Sequence, residues 1–354
     1  MSGTLQQCVA AAQAGTDLTV DEAQACADAV FATAAEEVDQ VTALLRALAE
    51  KGEAVTEVVG FARAILERAT AAPDEIRGTG VDLAGTGGSG MERFNVSTAA
   101  AFAVAAVGTA VVKHGNRGSR QPNGSMDFLD ALGIDYGLAP ESMVDCYQTS
   151  RLAFFFARAW HPAMAAVAPA RQQVARRTIF NLAAPLCNPA QPPYQLMGAS
   201  SVAAAEMLIE VLRQLGRRRA LVVCGAPGID DLSISGPTDA FELDSGTVRR
   251  HAFRPEQFGL EAVAYDRLPA GSGADNAVTF TDLVRDLAAG RAESPLADLI
   301  CVNAGAALYC AEAAASIAAG CARAREAFAD GSVGRQIARY RDHAGATAGP
   351  DGDR

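Results

Sequence analysis

The sequence predicts an α/β protein in which a small all-helical domain precedes a larger α/β domain with a mainly parallel central sheet. Apolar residues recur at helical spacing between residues 19 and 71, which indicates a module made of helices alone. From about residue 81 short apolar strands alternate with helices, an order that is typical of parallel sheets. The chain has 354 residues, of which half are hydrophobic, so it is long enough for two domains and a large core.

Local motifs assign each element in this scheme. Thr19 lies before Asp21 and Glu22 in a helix-capping pattern, and the segments VTALLRALAEKG and VTEVVGFARAILERA continue the helical domain. In the second domain VDLAG and TAVVKHG are predicted to be strands, and STAAAFAVAAVG and SMDFLDALG to be helices. Further strands are predicted at Ala220–Cys224 and Leu299–Val302, each followed by a glycine-containing turn and a helix. The last residues, ATAGPDGDR, are predicted to be a flexible tail.

Composition and charge disfavour several function classes. No segment has the length and apolarity of a membrane span, and the first residues lack the basic start and apolar core of a signal peptide, so we expect a cytoplasmic protein. The eight cysteines form no CxxC pair, which predicts reduced, packed thiols rather than disulfides or a zinc site. The net charge of −11 disfavours a nucleic-acid surface. The basic run Arg217–Arg219 is predicted to be a solvated helix end.

The segment from residue 82 to 130 carries the strongest functional pattern. Gly85, Gly87 and Gly90 open it, and glycines let backbone amides approach an anion closely. They also satisfy the GxGxxG pattern of dinucleotide sites, but no helix opens directly on them and no acidic residue follows about twenty positions later. A Walker A loop is excluded because no GKS or GKT follows. The glycines therefore favour a phosphate site of another kind.

Two further elements extend this anion site. Asn95, Ser97 and Thr98 lie at a predicted helix start, where unpaired N–H groups and the helix dipole favour a phosphate or a metal-bound phosphate. Lys113 ends an apolar strand beside the polar loops, where we expect it to meet a phosphate. The arrangement predicts a site for a sugar that carries several phosphates.

With these residues in hand, the chain resembles the anthranilate phosphoribosyltransferase family over nearly all of its length. The matching motifs are GTGG at 85–88, NVST at 95–98, KHGNR at 113–117, GS followed by Asp127, HPAM with Arg171, RTIFNLAAPLCNPA at 177–190, the acidic pair at 230–231 and NAGAALY at 303–309. The resemblance implies a nucleoside phosphorylase/phosphoribosyltransferase-like fold. Its helical domain covers 1–75 with a contribution from about 165–195, and is hinged to an α/β domain at 76–345 that precedes a tail at 346–354. The resemblance also implies a homodimer formed through the helical domain.

The resemblance implies a reaction as well: transfer of a phosphoribosyl group from phosphoribosyl pyrophosphate (PRPP), with Mg²⁺, to the amine of anthranilate. The residues it matches to PRPP contacts, or that neighbour them, are Gly85, Gly88, Ser89, Arg93, Asn95, Ser97, Thr98, Lys113, Asn116, Arg117, Arg120 and Ser125. The acceptor is expected to meet Gly85, Asn116, His161 and Arg171, and the metal Ser97, Asp230 and Asp231. Because an arylamine needs little activation, we assign no general base and expect positioning and electrostatics to dominate.

The chain departs from the family pattern inside the same segment. Ser89 stands where the family has an aspartate, Arg93 where it has a threonine and Arg120 where it has a serine. If all three positions face the ligand, the local charge rises by about +3. We expect Arg93 and Arg120 to supply charge that a more weakly held magnesium would otherwise supply, with PRPP retained as the donor.

Alternatives stay open. The same departures fit a paralogue that acts on another aromatic or heteroaromatic acceptor or on another phosphorylated donor, and they also fit arginines that face solvent. A nucleoside phosphorylase would share the architecture and the phosphate loop, but the segment at 177–190 and Arg171 favour the transferase. A non-catalytic relative that binds nucleic acid is disfavoured by the acidic balance. The expected partners are PRPP and an aromatic amine, with no nucleic acid and no membrane.

Overall fold

The computed structural model describes residues 3–87, 90–118, 121–291 and 294–347. A domain of helices precedes a larger α/β domain built on a seven-stranded sheet, which confirms the predicted fold class. Gly88, Ser89 and Arg120 lie outside the described residues, as do residues 348–354 of the predicted tail. The beginning of that tail is helical instead, because the last helix continues through the alanine-rich end of the chain to Thr347.

The elements have the following bounds. The strands are β1 (Val81–Gly85), β2 (Val111–Gly115), β3 (Leu152–Phe156), β4 (Tyr194–Gly198), β5 (Arg219–Gly225), β6 (Thr238–Asp244) and β7 (Thr247–Phe253). The helices are α1 (Gly3–Gln13), α2 (Val20–Thr33), α3 (Val38–Lys51), α4 (Val55–Glu67), α5 (Val96–Ala106), α6 (Ser125–Ala131), α7 (Pro140–Ser150), α8 (Ala157–Trp160), α9 (Ala168–Val174), α10 (Ile179–Ala183), α11 (Val202–Gln214), α12 (Gly273–Ala288), α13 (Pro295–Cys310), α14 (Ile317–Ala329) and α15 (Ser332–Thr347). None of the helices in the described part of the chain is long and apolar enough to cross a membrane.

The sheet runs in the order β3-β2-β1-β4-β5-β6-β7. The first five strands are parallel, and β6 and β7 add an antiparallel edge. One buried cluster packs α5, α13 and α14 on one face, and a second joins the other face to α11 and the N-terminal helices. Both faces of the parallel strands are therefore covered, as continuous apolar strands require.

The N-terminal helices form a bundle that the middle of the chain completes. The predicted cap of α2 is confirmed, since Thr19 N donates to the Glu22 carboxylate at 2.9 Å and Glu22 N donates to Thr19 Oγ1 at 3.3 Å. The Phe180 ring of α10 packs edge-on against Phe61 of α4 with centroids 5.5 Å apart. Thr42 of α3 donates to the side chain of Gln173 on α9 at 3.1 Å, so residues from the middle of the chain share the apolar core of the bundle.

Two local predictions are wrong and one is confirmed. Residues 299–302 do not form a strand but lie inside α13, a 16-residue helix that is buried nearly all round; such a helix shows no amphipathic pattern and its sequence resembles a buried strand. Arg217 is not solvated: only 7% of it is exposed, and its guanidinium donates to Gln195 Oε1 and to the carbonyl of Leu186, both at 3.3 Å. All eight cysteines are free and buried, as predicted.

Candidate active site

The strand order reverses beside β1, and at such a point the carboxyl ends of parallel strands open a crevice. β1 ends at Gly85 and its neighbour β4 ends at Gly198. The acidic pair crosses these ends so closely that a Cβ on Gly85 would lie 2.4 Å from Asp230 Oδ2, and one on Gly198 1.7 Å from the Asp230 carbonyl oxygen. Because both positions lack a Cβ, Asp230 can pack directly against the ends of β1 and β4.

The Asp230 carboxylate is engaged by the protein itself. Gly87 N donates to its Oδ2 at 2.9 Å, and the Arg93 guanidinium forms an ion pair with its Oδ1. The Asp230 side chain is 2% exposed, whereas that of Arg93 is 29% exposed. Gly87 has a φ of +63°, a conformation that suits glycine, so the glycine turn is shaped to hold this carboxylate.

Lys113 connects β2 to the start of α5. Its ammonium donates to Ser97 Oγ at 3.1 Å and to the carbonyl oxygen of Leu83, and the residue is 1% exposed. Next to Ser97, the buried hydroxyl of Thr98 has no hydrogen-bond partner within the described ranges. A buried lysine and an unpaired hydroxyl at a helix start leave binding capacity for an anion.

Asp231 lies in the same group of side chains. It lines a small cavity of about 10 Å³ together with Ser97, Asp230 and Asn303. Burial raises the pKa of Asp231 to about 6, against the opposing influence of Arg93 and Lys113. Burial lowers the pKa of Lys113 to about 8, against the influence of Asp82 and Asp231. The site thus concentrates charge of both signs away from water.

Two polar loops flank the site, a first loop before α5 and a second loop before α6, and hydrogen bonds join them. Asn95 Nδ2 donates to the carbonyl oxygen of Asn123 at 3.2 Å, and Asn123 Nδ2 donates to that of Arg93 at 2.9 Å. The buried Asn276 of α12 lies behind them, with its Nδ2 3.1 Å from the Arg93 carbonyl, 2.9 Å from Asn95 Oδ1 and 3.2 Å from Asn123 Oδ1. The loops before α5 and α6 are therefore held as one unit.

The remaining residues of the second loop support its backbone. Asn116 Oδ1 accepts from Arg117 N at 2.8 Å, and the Arg117 guanidinium binds Tyr136 and Asp130 rather than the centre of the site. Ser125 begins α6 against the end of β2, where a Cβ on Gly115 would lie 3.0 Å from Ser125 Oγ. Ser125 is thus close to the Lys113 strand, while Arg117 faces away in this structure.

His161, one of the residues predicted to bind the acceptor, lies on the opposite face of the sheet from Lys113, whereas Gly85 contacts Asp230 and Asn116 lies in the loop before α6. His114 follows Lys113 in β2, so its side chain points the other way, and its ring packs against that of His161 with centroids 5.1 Å apart. Burial lowers the pKa of His161 to about 4 and that of His114 well below its usual value. The Arg171 guanidinium lies 5.8 Å from the centre of the Phe180 ring, and burial lowers its pKa.

Three residues of this site escape a prediction from motifs. His114 was available in the KHGNR motif beside Lys113, and its buried Nε2 has no partner in the described structure. Gly198 ends the apolar segment YQLMG, which is a weaker signal. Asn276 lies far along the chain in a helix without any functional motif, so only the three-dimensional structure connects it to the site.

The comparison with protein families covers both domains. Residues 77–333 match the α/β domain of a glycosyl transferase family, and residues 6–69 match the helical bundle domain of a glycosyl transferase family. The fold and site thus define a two-domain glycosyltransferase. An anthranilate phosphoribosyltransferase of Brevibacillus brevis is 40% identical over 306 residues, which are 86% of this chain and 88% of that protein. The chain therefore belongs to the anthranilate phosphoribosyltransferase family of enzymes.

Solved structures agree. The crystal structure of anthranilate phosphoribosyltransferase from Thermus thermophilus is 36% identical and superposes with a TM-score of 0.87, covering 95% of this chain and 99% of that one. The enzyme from Saccharomyces cerevisiae in complex with PRPP and Mg also gives a TM-score of 0.87, over 98% of this chain and 99% of that one. At 20% identity this second likeness shows the fold alone.

Proposed function

We propose that the protein transfers the 5-phosphoribosyl group of PRPP to the amine of anthranilate, or of a related aromatic acid, and releases pyrophosphate. The observation that carries the proposal is the buried Lys113, whose ammonium reaches Ser97 at the start of α5 beside Asp231. A buried ammonium beside a helix start suits a pyrophosphate group, since both supply positive potential where water is excluded. In a chain of this family the corresponding donor is PRPP.

The donor contacts follow from this placement. We assign phosphate contacts to Lys113, to the hydroxyls of Ser97 and Thr98, and to the glycine turn that begins at Gly85. Asn95 and Ser125 border the same space on the two joined loops. Gly88, Ser89, Asn116, Arg117 and Arg120 remain predicted donor contacts that the described structure does not place against a ligand.

The oxygen donors at this end of the sheet fit Mg²⁺. Two carboxylates and the Ser97 hydroxyl form the set that this ion prefers, and no group of three or more His, Cys, Asp or Glu in the described residues would hold a metal ion by itself. Such a set suits magnesium, which is commonly held by one or two carboxylates together with substrate phosphates. When bound, magnesium neutralises pyrophosphate and makes it a better leaving group. We assign the ion to Asp231 and Ser97, with Asp230 beside them.

The acceptor would occupy the His114 face. His161 and His114 are neutral rings against which an aromatic ring can pack. Arg171 can bind a carboxylate through two parallel hydrogen bonds, and Asn116 can accept from the amine. In this arrangement the chain orients the amine and excludes water, and no side chain is required to remove a proton before attack.

The proposed function is tested by PRPP turnover against a panel of amines, with pyrophosphate release as the readout. The panel contains anthranilate, 3- and 4-aminobenzoate and aniline, with inorganic phosphate plus nucleosides as a separate arm. We expect turnover with anthranilate and at least a hundredfold less with aniline, which lacks the carboxylate for Arg171. Phosphate-dependent nucleoside cleavage would identify a nucleoside phosphorylase instead. Absence of turnover with every amine, together with absence of PRPP binding, would overturn the proposal.

Three accompanying features belong to the same proposal. We assign the helical domain to residues 1–75 plus about 165–195, supported by the packing of Phe180 on Phe61 and of Gln173 on Thr42. A homodimer through this domain is proposed from the family resemblance, and sedimentation analysis tests it. A cytoplasmic location and a role in tryptophan biosynthesis are proposed on the same ground, and the eight free, buried cysteines agree with a reducing compartment.

A further inference from the structure

The sequence analysis places Arg93 among the residues of the PRPP site, and the structure shows its guanidinium paired with Asp230. We propose that Arg93 is the permanent counter-ion of the Asp230 carboxylate and occupies the position that a metal ion would otherwise take there. Metal binding is then confined to Asp231. The inference deepens the proposed function, on which its PRPP-dependent part rests. It concerns which positive charges of the site come from side chains of this chain and which come from a metal ion.

Both oxygens of Asp230 face groups of the chain itself, although Oδ1 takes part only in an ion pair and accepts no hydrogen bond in the described residues. Gly87 N donates to Oδ2 at 2.9 Å and the Arg93 guanidinium pairs with Oδ1, while the carboxylate is almost fully buried. A metal ion could take Oδ1 only by displacing the guanidinium, and that would bring two positive groups together in a space closed to water. Asp231 is different, because it faces the small cavity with Ser97 and carries no such ion pair in the described residues.

The backbone holds Arg93 in this position. Its carbonyl oxygen accepts from Asn123 Nδ2 at 2.9 Å and from Asn276 Nδ2 at 3.1 Å. The preceding carbonyl, that of Glu92, accepts from the Tyr265 hydroxyl at 2.9 Å. Three side chains from three different parts of the chain therefore hold the backbone at Glu92 and Arg93. This support positions Arg93 for its ion pair with Asp230.

The test measures metal binding rather than turnover. Mn²⁺ replaces Mg²⁺ and its binding is followed by electron paramagnetic resonance, first alone and then with PRPP. Arg93→Gln is compared with the native chain, with Arg93→Lys, which keeps the charge, and with Arg291→Gln, which removes an arginine from the exposed ion pair with Asp286. Circular dichroism and thermal melting confirm that each variant is folded.

We expect Arg93→Gln to bind Mn²⁺ alone about tenfold or more tightly than the native chain does, because a positive charge has left the two carboxylates. With PRPP it should bind one Mn²⁺ more per chain. Arg93→Lys and Arg291→Gln should match the native chain. Adding Asp230→Asn to Arg93→Gln should remove the extra ion, while Asp230→Asn alone should leave the native metal count unchanged.

Equal Mn²⁺ affinity and equal stoichiometry in Arg93→Gln and the native chain would overturn the inference. An unchanged metal count combined with loss of PRPP binding in Arg93→Gln would overturn it as well, because Arg93 would then bind the donor directly. The experiment with Mn²⁺ alone needs no PRPP. If the native chain bound no PRPP, the proposed function would fail while the metal-alone result would still decide the role of Arg93.

Discussion

Lys113 and His114 are neighbours on one strand, yet the two faces of the sheet to which they point differ in chemistry. On the Lys113 face, an ammonium, a guanidinium and two carboxylates lie close together, and Thr98 has a buried hydroxyl without a partner in the described structure. On the His114 face, His114 and His161 are neutral rings in contact. The side chains next to Lys113 carry charge of both signs, whereas the imidazole pair on the other side of β2 is neutral.

The charged groups on the His114 face show what a purely structural network looks like. Asp82 accepts from His114 N at 3.1 Å, and the Gln195 amide lies within hydrogen-bond distance of both Asp82 (3.5 Å) and Arg217 (3.3 Å). Each of these buried groups has a partner from the chain. The Thr98 hydroxyl on the Lys113 face and the ring nitrogens of His114 and His161 instead include buried polar atoms without a partner in the described residues, and this difference separates groups with capacity for a ligand from supporting ones.

The largest effect is expected from removing the cation of the donor face. Lys113→Met should lower kcat/KM for PRPP by about a thousandfold, since a buried donor aimed at developing negative charge is lost. Pyrophosphate release measures the effect, with Arg291→Gln as the control for loss of a surface charge. A folded Lys113→Met variant with activity within tenfold of the native chain would show that the donor binds elsewhere.

A smaller effect, on stability, is expected from a substitution that forces Asp230 and Asp231 away from the end of β4. In Gly198→Ala the new Cβ would lie 1.7 Å from the Asp230 carbonyl oxygen, so the loop must move and the free energy of unfolding should fall by about 3 kcal/mol. Urea unfolding measures the change. Gly345→Ala is the matched control, because among the described residues no atom outside its own stretch of helix lies within 4 Å of its added Cβ. Equal stability of the two variants would contradict the close packing of Asp230 on β4.

The His114 face is tested by His161→Ala. Loss of the ring should raise KM for anthranilate roughly tenfold, the value of an aromatic contact, while KM for PRPP stays the same. His251→Ala, on the edge strand β7, is the control. Similar increases in the KM values for anthranilate and PRPP would mean that the two substrates do not bind on separate faces of the sheet.

The smallest effect is expected from pH. Because the pKa of His161 is lowered to about 4 and that of His114 lies well below its usual value, both rings stay neutral above that range, so KM for anthranilate should change less than about twofold between pH 6 and 8. On acidification below pH 6.5 the unfolded chain gains a proton at His161 that the folded chain does not, so this group lowers stability as the pH falls toward 4. A KM that follows a group titrating near 6.5 would contradict neutral rings.

The elements with strong local signals could be predicted from sequence. The cap at Thr19 is a short-range motif, and the strand 220–224 is bounded by turn residues, so both are as predicted. The strand predicted at residues 299–302 is wrong because a helix buried on all sides has no polar face, and an apolar run alone cannot separate it from a strand.

The residues of the candidate site also differ in how far the sequence predicts them. Ser97 follows from a helix start and Lys113 from an apolar strand, which are local features, and the structure brings them within 3.1 Å. Lys113 does not end this strand as predicted, because β2 continues to Gly115. The ion pair of Arg93 with Asp230 and the burial of Arg217 could not be predicted, because each depends on residues that are distant in sequence and meet only through the sheet order.

The side-chain amide of Asn276 has a consequence for how the two loops acquire order. The two hydrogens of one NH₂ group are shared among acceptors of the first loop, at Arg93 and Asn95, and of the second, at Asn123. It acts as a crosslink between segments that would otherwise have to become ordered independently, so fixing one loop lowers the entropic cost of fixing the other. A ligand that touches only the first loop would therefore find the second already in place.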